Sequence, residues 1–319
     1  MNEYENDPFI INQIGTFRQK ESRNSPEKLR ESFDLFMKTA DINYPLGLYN
    51  AAQHCMMIKN GVGTEADLRR AFKVFKIGCE KNYRMCQFEL AFLLFEGRDE
   101  IEKDITKSFS LHFAAVQNGF NKSYFEIGYQ FYLMTQTDVE KAPLMIRYLK
   151  RASDQNCSDA SVLLGNFYKE GQYVEKDEKK CASYYKKAAD NDNTQGLVLF
   201  GQCLKDGFGI KREIYDAAFC YQKAADFGSK IGQYNFAKLI YRNQDVFNNQ
   251  LTKAIKYFKM AAEQGAAPSL FYLAKIYINC EGEIGQDLSK GKVYLLEYFE
   301  KVPEDKMFSG SDELYHKIQ

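Results

Sequence analysis

The chain has 319 residues, of which 45% are hydrophobic and 27% are charged, and its 43 basic residues balance its 43 acidic ones. These values are typical of a globular protein, and a net charge of zero does not indicate a general nucleic-acid or anionic-membrane binder. No apolar run approaches the ~18–20 residues of a membrane-spanning helix, and the acidic first residues do not resemble a signal peptide, so we expect a cytoplasmic protein without a membrane span.

The first 44 residues predict two segments. Residues 1–25 show no helical period and are expected to form a flexible N-terminal arm. Ser25, Pro26 and Glu27 then supply an N-cap, a first-turn proline and an acidic first turn. Apolar residues at helical spacing follow, so the sequence predicts an N-terminal capping helix over residues 26–44.

Two series of small residues recur every 36 or 37 positions through the centre of the chain. The first series runs through Cys86, Ser123, Ala160, Gly196, Gly232 and Ser269. The second series runs through Gly78, Ala115, Ala152, Ala188, Ala224 and Ala261. Two registers that share one period are typical of a solenoid, in which each repeat buries its apolar face against its neighbours.

The repeats read as pairs of helices joined by a turn. In the repeat that begins near Ala160, Gly171 ends the first helix and Asp177 is placed to cap the second. In the next repeat Gly207 and Gly209 occupy the same turn, where a positive φ is required. Tyr and Phe residues at helical spacing are expected to fill the space between the layers.

Seven such pairs are counted over residues 45–302. The sequence therefore predicts an all-α, right-handed α/α superhelical solenoid of about seven helix-turn-helix repeats with a 36–37-residue period. The second, third and seventh repeats are more degenerate. Pro143 falls near the start of one second helix, and Gly291 replaces an alanine in another, which weakens that helix by about 1 kcal/mol. Residues 303–319 are expected to form a C-terminal cap or tail.

The repeat resembles the Sel-one-like repeat (SLR), a tetratricopeptide-related α/α solenoid family. The resemblance rests on Leu164-Gly165, Tyr168, Gly171, Asp177 and the run Tyr184-Tyr185-Lys186-Lys187-Ala188-Ala189, with equivalents in the following repeat. It covers residues 45–302. Such repeats serve as scaffolds and adaptors in unrelated pathways, so the resemblance implies a fold and a protein partner more than a specific activity.

By analogy with related solenoids, the first helix of each pair should line the concave face. The residues one and four positions after its structural Gly or Ala are then expected to face a partner-binding groove: Phe92, Phe95, Tyr129, Tyr132, Asn166, Lys169, Gln202, Lys205, Lys238, Tyr241, Lys275 and Ile278. Such a groove is aromatic in its N-terminal half and basic-polar in its C-terminal half. The expected partner is an extended or helical protein segment with an apolar part and an acidic part. The alternative interpretation is that the lysines only solvate the surface and the aromatic side chains belong to the core.

The sequence offers little catalytic or ligand chemistry. The three histidines lie in different parts of the chain without metal-ligand spacing, so we expect no metal site, no cofactor and no catalytic residue. Gly61-Val62-Gly63 and Gly207-Phe208-Gly209 lack the third glycine and the Lys-Ser/Thr of phosphate-binding loops and are interpreted as turns. Asp190 and Asp192 are interpreted as turn or capping residues.

The chain has eight cysteines, which are expected to be reduced because no secretory signal accompanies them. Cys79 and Cys86 lie across a short turn where a disulfide is conceivable. Cysteine-rich members of the family would repeat such a pair in every unit, and here the pair occurs once. Both are therefore expected to be thiols.

The leading functional hypothesis is a non-catalytic protein-interaction scaffold or adaptor. One alternative is a regulatory subunit that activates a partner enzyme of the ubiquitin-ligase or cell-wall synthase type, as some relatives do. A hydrolase, as suggested for some cysteine-rich relatives, is a further alternative. RNA binding is disfavoured by the neutral charge and by the lack of base-reading residues at fixed repeat positions.

Overall fold

The structure is a computed structural model that describes residues 7–21, 25–57, 68–97, 101–248, 250–279, 287–303 and 307–318. This part of the chain contains α-helices, one short 3₁₀ helix (Val139–Lys141) and no strand. The α-helices are α1 Pro8–Glu21, α2 Pro26–Asp41, α3 Pro45–Met57, α4 Leu68–Glu80, α5 Arg84–Glu96, α6 Ile105–Gln117, α7 Ser123–Met134, α8 Ala142–Asp154, α9 Ser158–Glu170, α10 Glu178–Asp190, α11 Thr194–Asp206, α12 Ile214–Asp226, α13 Lys230–Arg242, α14 Leu251–Glu263, α15 Ala267–Asn279, α16 Leu288–Lys301 and α17 Ser311–His316.

Within the described residues, helices α3 to α16 alternate as the first and second members of seven pairs, which we call A-helices and B-helices. The A-helices are α3, α5, α7, α9, α11, α13 and α15, and each is followed by its B-helix. B-helices also pack against the A-helix of the next repeat, as α4 does against α5 and α10 does against α11. The predicted all-α architecture of paired helices is confirmed.

The repeats fall into two compact units, Met1–Gln155 and Asn156–Gln319, which we call unit 1 and unit 2. Each unit has its own hydrophobic core. The core of unit 1 is built around Phe36, Phe75 and Leu90, and that of unit 2 around aromatic residues such as Tyr185 and Phe258. The expected solenoid over residues 45–302 is thus divided after its third, degenerate repeat.

Residues 8–21, expected to lie in a flexible arm, instead form α1. This helix packs on α2, and a Cβ added at Gly15 would lie 2.7 Å from Cε1 of the buried Phe36. The sequence pattern did not predict this helix because its apolar residues do not form one stripe. Ile11 is buried, whereas Phe9 and Phe17 are exposed. Helix α2 begins as expected, with the Ser25 hydroxyl accepting a hydrogen bond from the Lys28 amide, but it pairs with α1 rather than standing alone.

The two periodic series of small residues face each other. A Cβ added at Gly232 on A-helix α13 would lie 2.8 Å from the Cβ of Ala224 on the preceding B-helix. A third small position acts inside each pair, because a Cβ at Gly201 would lie 2.9 Å from Cε1 of the buried Tyr221. Small residues thus allow helices to approach closely within and between repeats.

The turn that leads into each A-helix from the preceding helix contains a residue with left-handed backbone. These residues recur every 36 to 39 positions: Asn43, Asn82, Gly119, Asn156, Asp192, Gly228 and Gly265, with φ from 57° to 83°. Asn, Asp and Gly are the residue types that adopt this conformation most readily. Sequence analysis did not identify this register because its members share a backbone conformation rather than a side-chain type.

The turns inside the repeats follow the prediction where they are described. Gly171 and Gly207 cap α9 and α11 in the left-handed conformation, with φ of 72° and 74°, and Gly209 has φ of 67°. A Cβ at Gly209 would also lie 2.9 Å from the Lys179 amide of the preceding repeat, so this glycine allows a close approach as well. Gly61 and Gly63 lie outside the described residues.

The degenerate repeats differ locally. In the third repeat the glycine turn is replaced by the 3₁₀ helix Val139–Lys141, and Pro143 lies in the first turn of α8 as expected. In the seventh repeat Gly291 has a packing role, because a Cβ there would clash with Ile278 Cγ1 on α15. Glycine at this position costs helix propensity but lets α15 and α16 approach each other.

Candidate functional site

The eleven groove residues from Phe92 to Lys275 that sequence analysis proposed all have accessible side chains. Those on α5, α7, α9, α13 and α15 are half-buried or exposed, and so are Gln202 and Lys205 on α11. Ile278 is the exception. It is only 1% exposed, because the glycine at position 291 admits its side chain between α15 and α16, and its assignment to the groove is wrong.

In unit 2, A-helices α11 and α13 line a cavity of about 430 Å³. Two of the proposed groove lysines, Lys205 and Lys238, lie in its wall together with Arg212 and Arg242. The one carboxylate among its lining residues is Asp206, whose Oδ1 lies 3.2 Å from Lys205 Nζ. The cavity therefore brings together four cations and one carboxylate, which we call the basic cavity.

The electrostatic environment of Lys238 reflects this arrangement. Its pKa is lowered, first because burial disfavours the charged ammonium and then because Arg242 and Lys205 repel it. The lysine Nζ also lies 5.2 Å above the Tyr234 ring and 5.9 Å from that of Tyr272. Cation–π contacts offset part of the lost hydration, but the repulsion from the two neighbouring cations would be relieved by a bound anion.

Aromatic side chains pack around the side chain of Lys238. Tyr272 stacks on the wholly buried Phe258 with ring centroids 5.1 Å apart, and Tyr241 meets Tyr272 edge-on at 5.4 Å. The Tyr272 hydroxyl accepts a hydrogen bond of 3.3 Å from Arg242, and Lys275 Nζ lies 5.9 Å from the Tyr241 ring. Lys238, Arg242 and Lys275 thus contact a packed aromatic layer, which restricts their positions.

A smaller cavity of about 100 Å³ lies between α9, α10 and α11. Two further groove residues, Lys169 and Gln202, line it with Tyr185. The Tyr185 hydroxyl donates a short hydrogen bond of 2.6 Å to Oδ1 of Asn166. Asn166 was proposed to contact a partner, and the structure shows that its amide oxygen is used within the repeat.

The aromatic groove residues of unit 1 lie on α5 and α7. Tyr129 is 38% exposed, and its ring lies 6.0 Å from those of both Phe125 and Tyr132. On α5, Phe95 is contacted by Lys103 Nζ at 5.2 Å from the ring centroid. An accessible aromatic cluster is therefore present on α7.

Two half-buried carboxylates accompany these aromatic residues and were not foreseen. Burial raises the pKa of Glu89 and that of Glu126, and the charge of Glu89 raises that of Glu126 further. The Tyr49 hydroxyl donates a hydrogen bond of 3.4 Å to Glu89. The accessible face of unit 1 is thus aromatic and acidic, whereas sequence analysis described it as aromatic.

Sequence analysis also missed Arg212 and Arg242 of the basic cavity. Arg212 lies in the turn before α12, and Arg242 is the last residue of α13, so neither occupies the register used for the groove. The position of Arg242 in the last turn of α13 could have been noted in the sequence, because the helix dipole favours a basic residue there. That position does not show which cavity the side chain enters.

A second concavity, of about 1080 Å³, lies in unit 1 between α4 and the segment that precedes α6. Its basic lining residues are Arg69, Lys73, Lys76, Lys103 and Lys107, and Glu102 and Asp104 also line it. Asp104 is committed to capping α6. This surface involves B-helices rather than the A-helix face, and it provides a comparison for charge-reversal experiments.

Within the described residues, no group of three or more His, Cys, Asp or Glu side chains is placed to hold a metal ion. Of the helices in that part of the chain, none combines the length and apolarity required to cross a bilayer. Cys79 and Cys86 are free thiols, and burial raises the pKa of each to about 12. Cys280 lies outside the described residues.

Comparison with known proteins identifies the repeat. The Sel1 repeat profile matches residues 45–83, 84–120, 158–193, 198–229, 231–265 and 267–297. The third repeat is not matched, in keeping with its altered turn. A search of curated proteins found no match.

Solved structures share the fold. A protective antigen of uropathogenic Escherichia coli strains that displays an SLR fold superposes with a TM-score of 0.75 at 18% identity, covering 98% of this chain and 69% of that one. A Sel1 repeat protein from Oxalobacter formigenes superposes with a TM-score of 0.58 at 18% identity, covering 79% of this chain and 96% of that one. With six repeats matched across more than half of its length, the chain belongs to the Sel1 repeat family.

Proposed function

We propose that this protein is a non-catalytic scaffold or adaptor, and that the A-helix face of unit 2 holds an acidic segment of a partner protein. The observation that carries the proposal is the basic cavity, in which Lys205, Arg212, Lys238 and Arg242 are opposed by the single carboxylate of Asp206. Like charges gathered in one partly desolvated concavity disfavour one another, and an incoming carboxylate removes that cost.

The chemistry of the four cations suits a carboxylate ligand. Arginine presents a planar fork of donors that matches a carboxylate, and charge-assisted hydrogen bonds of this kind are stronger than neutral ones. A bound carboxylate would stabilise the charged form of Lys238, which is disfavoured in the free protein by burial and by repulsion from Arg242 and Lys205. We expect an Asp or Glu side chain of the partner to bind beside it.

The apolar part of the partner has a matching surface in the aromatic groove residues. In unit 2 the half-buried Tyr234 and Tyr241 lie next to the cations, so an acidic segment that also carries an aromatic or aliphatic side chain would use both. In unit 1 we propose that Phe92, Phe95, Tyr129 and Tyr132 contact an apolar part of the partner, with Glu89 and Glu126 favouring a neighbouring basic residue.

The test is affinity capture from a lysate of the native cell, read by mass spectrometry, with matched charge-reversal variants. Lys205→Glu/Lys238→Glu reverses two charges in the basic cavity, and Lys73→Glu/Lys76→Glu reverses two exposed charges of the unit 1 concavity. We expect a partner that is bound by the wild type and by the unit 1 variant and is lost with the unit 2 variant. Binding should also weaken as salt is raised, because screening acts on exposed charges.

Each variant should first be shown to keep the helical circular dichroism spectrum of the wild type. Capture of the same proteins by the wild type and by Lys205→Glu/Lys238→Glu would refute the role of the basic cavity. Turnover of a substrate that depends on residues of this face would refute the non-catalytic assignment.

A further inference from the structure

Helices α10 and α11 form an antiparallel hairpin about the left-handed residue Asp192. Ala188 and Gly196, four residues on either side of it, are in close contact. Because two helical turns span about seven residues, the positions seven residues farther along each helix return to the same face. These positions are Cys181 and Cys203, each eleven residues from Asp192.

The same spacing produces a contact at another hairpin. Ser108 and Gln130 are each eleven residues from the left-handed Gly119, and Gln130 Nε2 donates a hydrogen bond of 2.9 Å to Ser108 Oγ. Buried small or aliphatic residues occupy the equivalent positions in three further hairpins, namely Ala71 and Leu93, Ala217 and Leu239, and Ala254 and Ile276. The register therefore places cysteines opposite each other at the α10–α11 hairpin.

The two thiols are free and in contact. Their side chains share a hydrogen bond, and Cys181 is 0% and Cys203 4% exposed. Cys203 lines the cavity of about 100 Å³ whose rim includes Lys169 and the exposed Gln202. The cavity is large enough to admit a small oxidant beside Cys203, although both side chains belong to the core of unit 2.

The thiol contact also changes the acidity of the pair. The hydrogen bond from Cys203 lowers the pKa of Cys181 and outweighs the opposing effect of burial, while the charge of Lys169 acts in the same direction as Cys203. The pKa of Cys203 is raised, because it supplies the donated proton. Thiolate character is what makes a cysteine reactive toward oxidants.

We propose that Cys181 and Cys203 are a redox-sensitive thiol pair that hydrogen peroxide converts into an intramolecular disulfide joining α10 to α11. The proposal is independent of the partner-binding function, since it rests on the hairpin register and the contact between the two thiols.

The reaction proceeds in two balanced steps. The Cys181 thiolate attacks one oxygen of hydrogen peroxide, an S–O bond forms as the O–O bond breaks, and the departing hydroxide takes up the thiol proton to give water and Cys181 sulfenic acid. The sulfur of Cys203 then attacks Cys181 sulfur, the S–S bond forms as the S–O bond breaks, and the hydroxyl group leaves with the Cys203 proton as a second water. Two thiols are oxidised and one peroxide is reduced.

The disulfide would act on a neighbouring contact. Tyr185 lies one turn after Cys181 and holds Asn166 of α9 through its hydroxyl at 2.6 Å. A covalent link between α10 and α11 beside this tyrosine would restrict movement of three consecutive helices of unit 2. A reductant such as dithiothreitol should reverse the change.

The experiment uses the reduced full-length protein and a titration with hydrogen peroxide. Remaining thiols are blocked with N-ethylmaleimide in denaturant, and the chain is cleaved with trypsin, which separates Cys181 from Cys203 because Lys186 and Lys187 lie between them. We expect a peptide pair that contains both cysteines, is lighter by about 2 Da than the two free peptides, and disappears on treatment with dithiothreitol.

The controls distinguish this pair from the other thiols. The cross-link should be absent in Cys181→Ser and Cys203→Ser and should persist in Cys220→Ser, which removes another buried thiol of unit 2. The proposal is overturned if, in the wild type, Cys181 and Cys203 stay as available to N-ethylmaleimide as Cys220 at every peroxide concentration, or if they pair with other cysteines. In that case the two residues serve only as small apolar core side chains.

Discussion

Gly196 and Ala188 lie so close that a Cβ added at Gly196 would come within 2.5 Å of the Ala188 Cβ and 2.8 Å of its carbonyl carbon. The two residues belong to the two periodic series that sequence analysis recognised separately. They are the two sides of one contact between a B-helix and the next A-helix, and their common period reflects that contact.

Replacement of Gly196 by Ala should therefore destabilise unit 2. Overpacking of this kind costs about 1–3 kcal/mol, and the better helix propensity of alanine offsets about 1 kcal/mol of it. Neighbouring backbone atoms at 2.8 Å leave no side chain that could rotate away. Urea unfolding followed by circular dichroism measures the change, and a variant as stable as the wild type would show that the helices can separate without cost.

Substitution of Gly228 tests the stability cost of the left-handed backbone in these turns without a change in packing. It has φ of 83°, and an added Cβ would meet no described atom within 4 Å. Gly228→Ala should cost about 1 kcal/mol because alanine disfavours this conformation. Gly228→Asn should cost less, since asparagine occupies the same register at residues 82 and 156. Equal losses in the two variants would argue against backbone conformation as the cause.

The N-cap of α10 can be compared with an uncapped equivalent. Asp177 Oδ1 accepts a hydrogen bond of 2.9 Å from the Lys180 amide, whereas the side chain of Glu213, at the start of α12, makes no capping hydrogen bond. Asp177→Ala should cost about 1 kcal/mol in the free energy of unfolding, and Glu213→Ala should cost much less. Asp177→Asn retains the acceptor and should be nearly neutral in the same denaturation assay.

The hydrogen-bonded pair of Ser108 and Gln130 should show strong coupling. Both are buried, and Ser108 Oγ also donates to the Ala91 carbonyl at 2.7 Å. Ser108→Ala should cost about 1–3 kcal/mol, because it leaves the buried Gln130 amide without this acceptor. The double variant Ser108→Ala/Gln130→Leu recreates the Ala and Leu found at the equivalent positions 71 and 93 and should be more stable than Ser108→Ala alone, as a double-mutant cycle would show.

Acid should weaken unit 1 through His112. This residue is 0% exposed, neither ring nitrogen has a hydrogen-bond partner, and burial lowers its pKa to about 4. The unfolded chain takes up the proton near pH 6.5, so His112 leaves stability unchanged above that pH and reduces it progressively as pH falls toward 4. The expected loss is about 2 kcal/mol by pH 5.

The variant His112→Leu isolates this contribution. Glu89 and Glu126 act in the opposite direction, because their pKa values are raised in the folded state and their protonation on acidification favours folding. They are present in both proteins, so the difference between wild type and variant on going from about pH 7.5 to about pH 5 reports His112 alone. Parallel pH dependences in denaturation experiments would contradict the prediction.

The sequence was sufficient to predict the repeated helix pairs because their determinants are local and periodic. Gly171 and Gly207 end helices, Asp177 begins one, and small residues recur where helices touch. Helix α1 was not predicted, because its apolar residues do not form one stripe: Ile11 is buried, whereas Phe9 and Phe17 are exposed.

The candidate site was harder to predict than the fold. The register selected eleven side chains that are accessible in the structure, but it could not show that Arg212 and Arg242 reach the same cavity as Lys205 and Lys238. It also placed Ile278 on the surface, because the close approach permitted by Gly291 on another helix is not visible in the register of α15 itself. Side chains that enter a site from turns and helix ends depend on three-dimensional packing.

The division of the chain between Gln155 and Asn156 separates two chemical sensitivities. The buried imidazoles of His54 and His112 lie in unit 1, and the thiol pair of Cys181 and Cys203 lies in unit 2. Mild acid should therefore lower the melting temperature of one half of the molecule more in the wild type than in His112→Leu, and peroxide should raise the melting temperature of the other half. A calorimetric trace recorded under each condition would assign each transition to its half without cutting the chain.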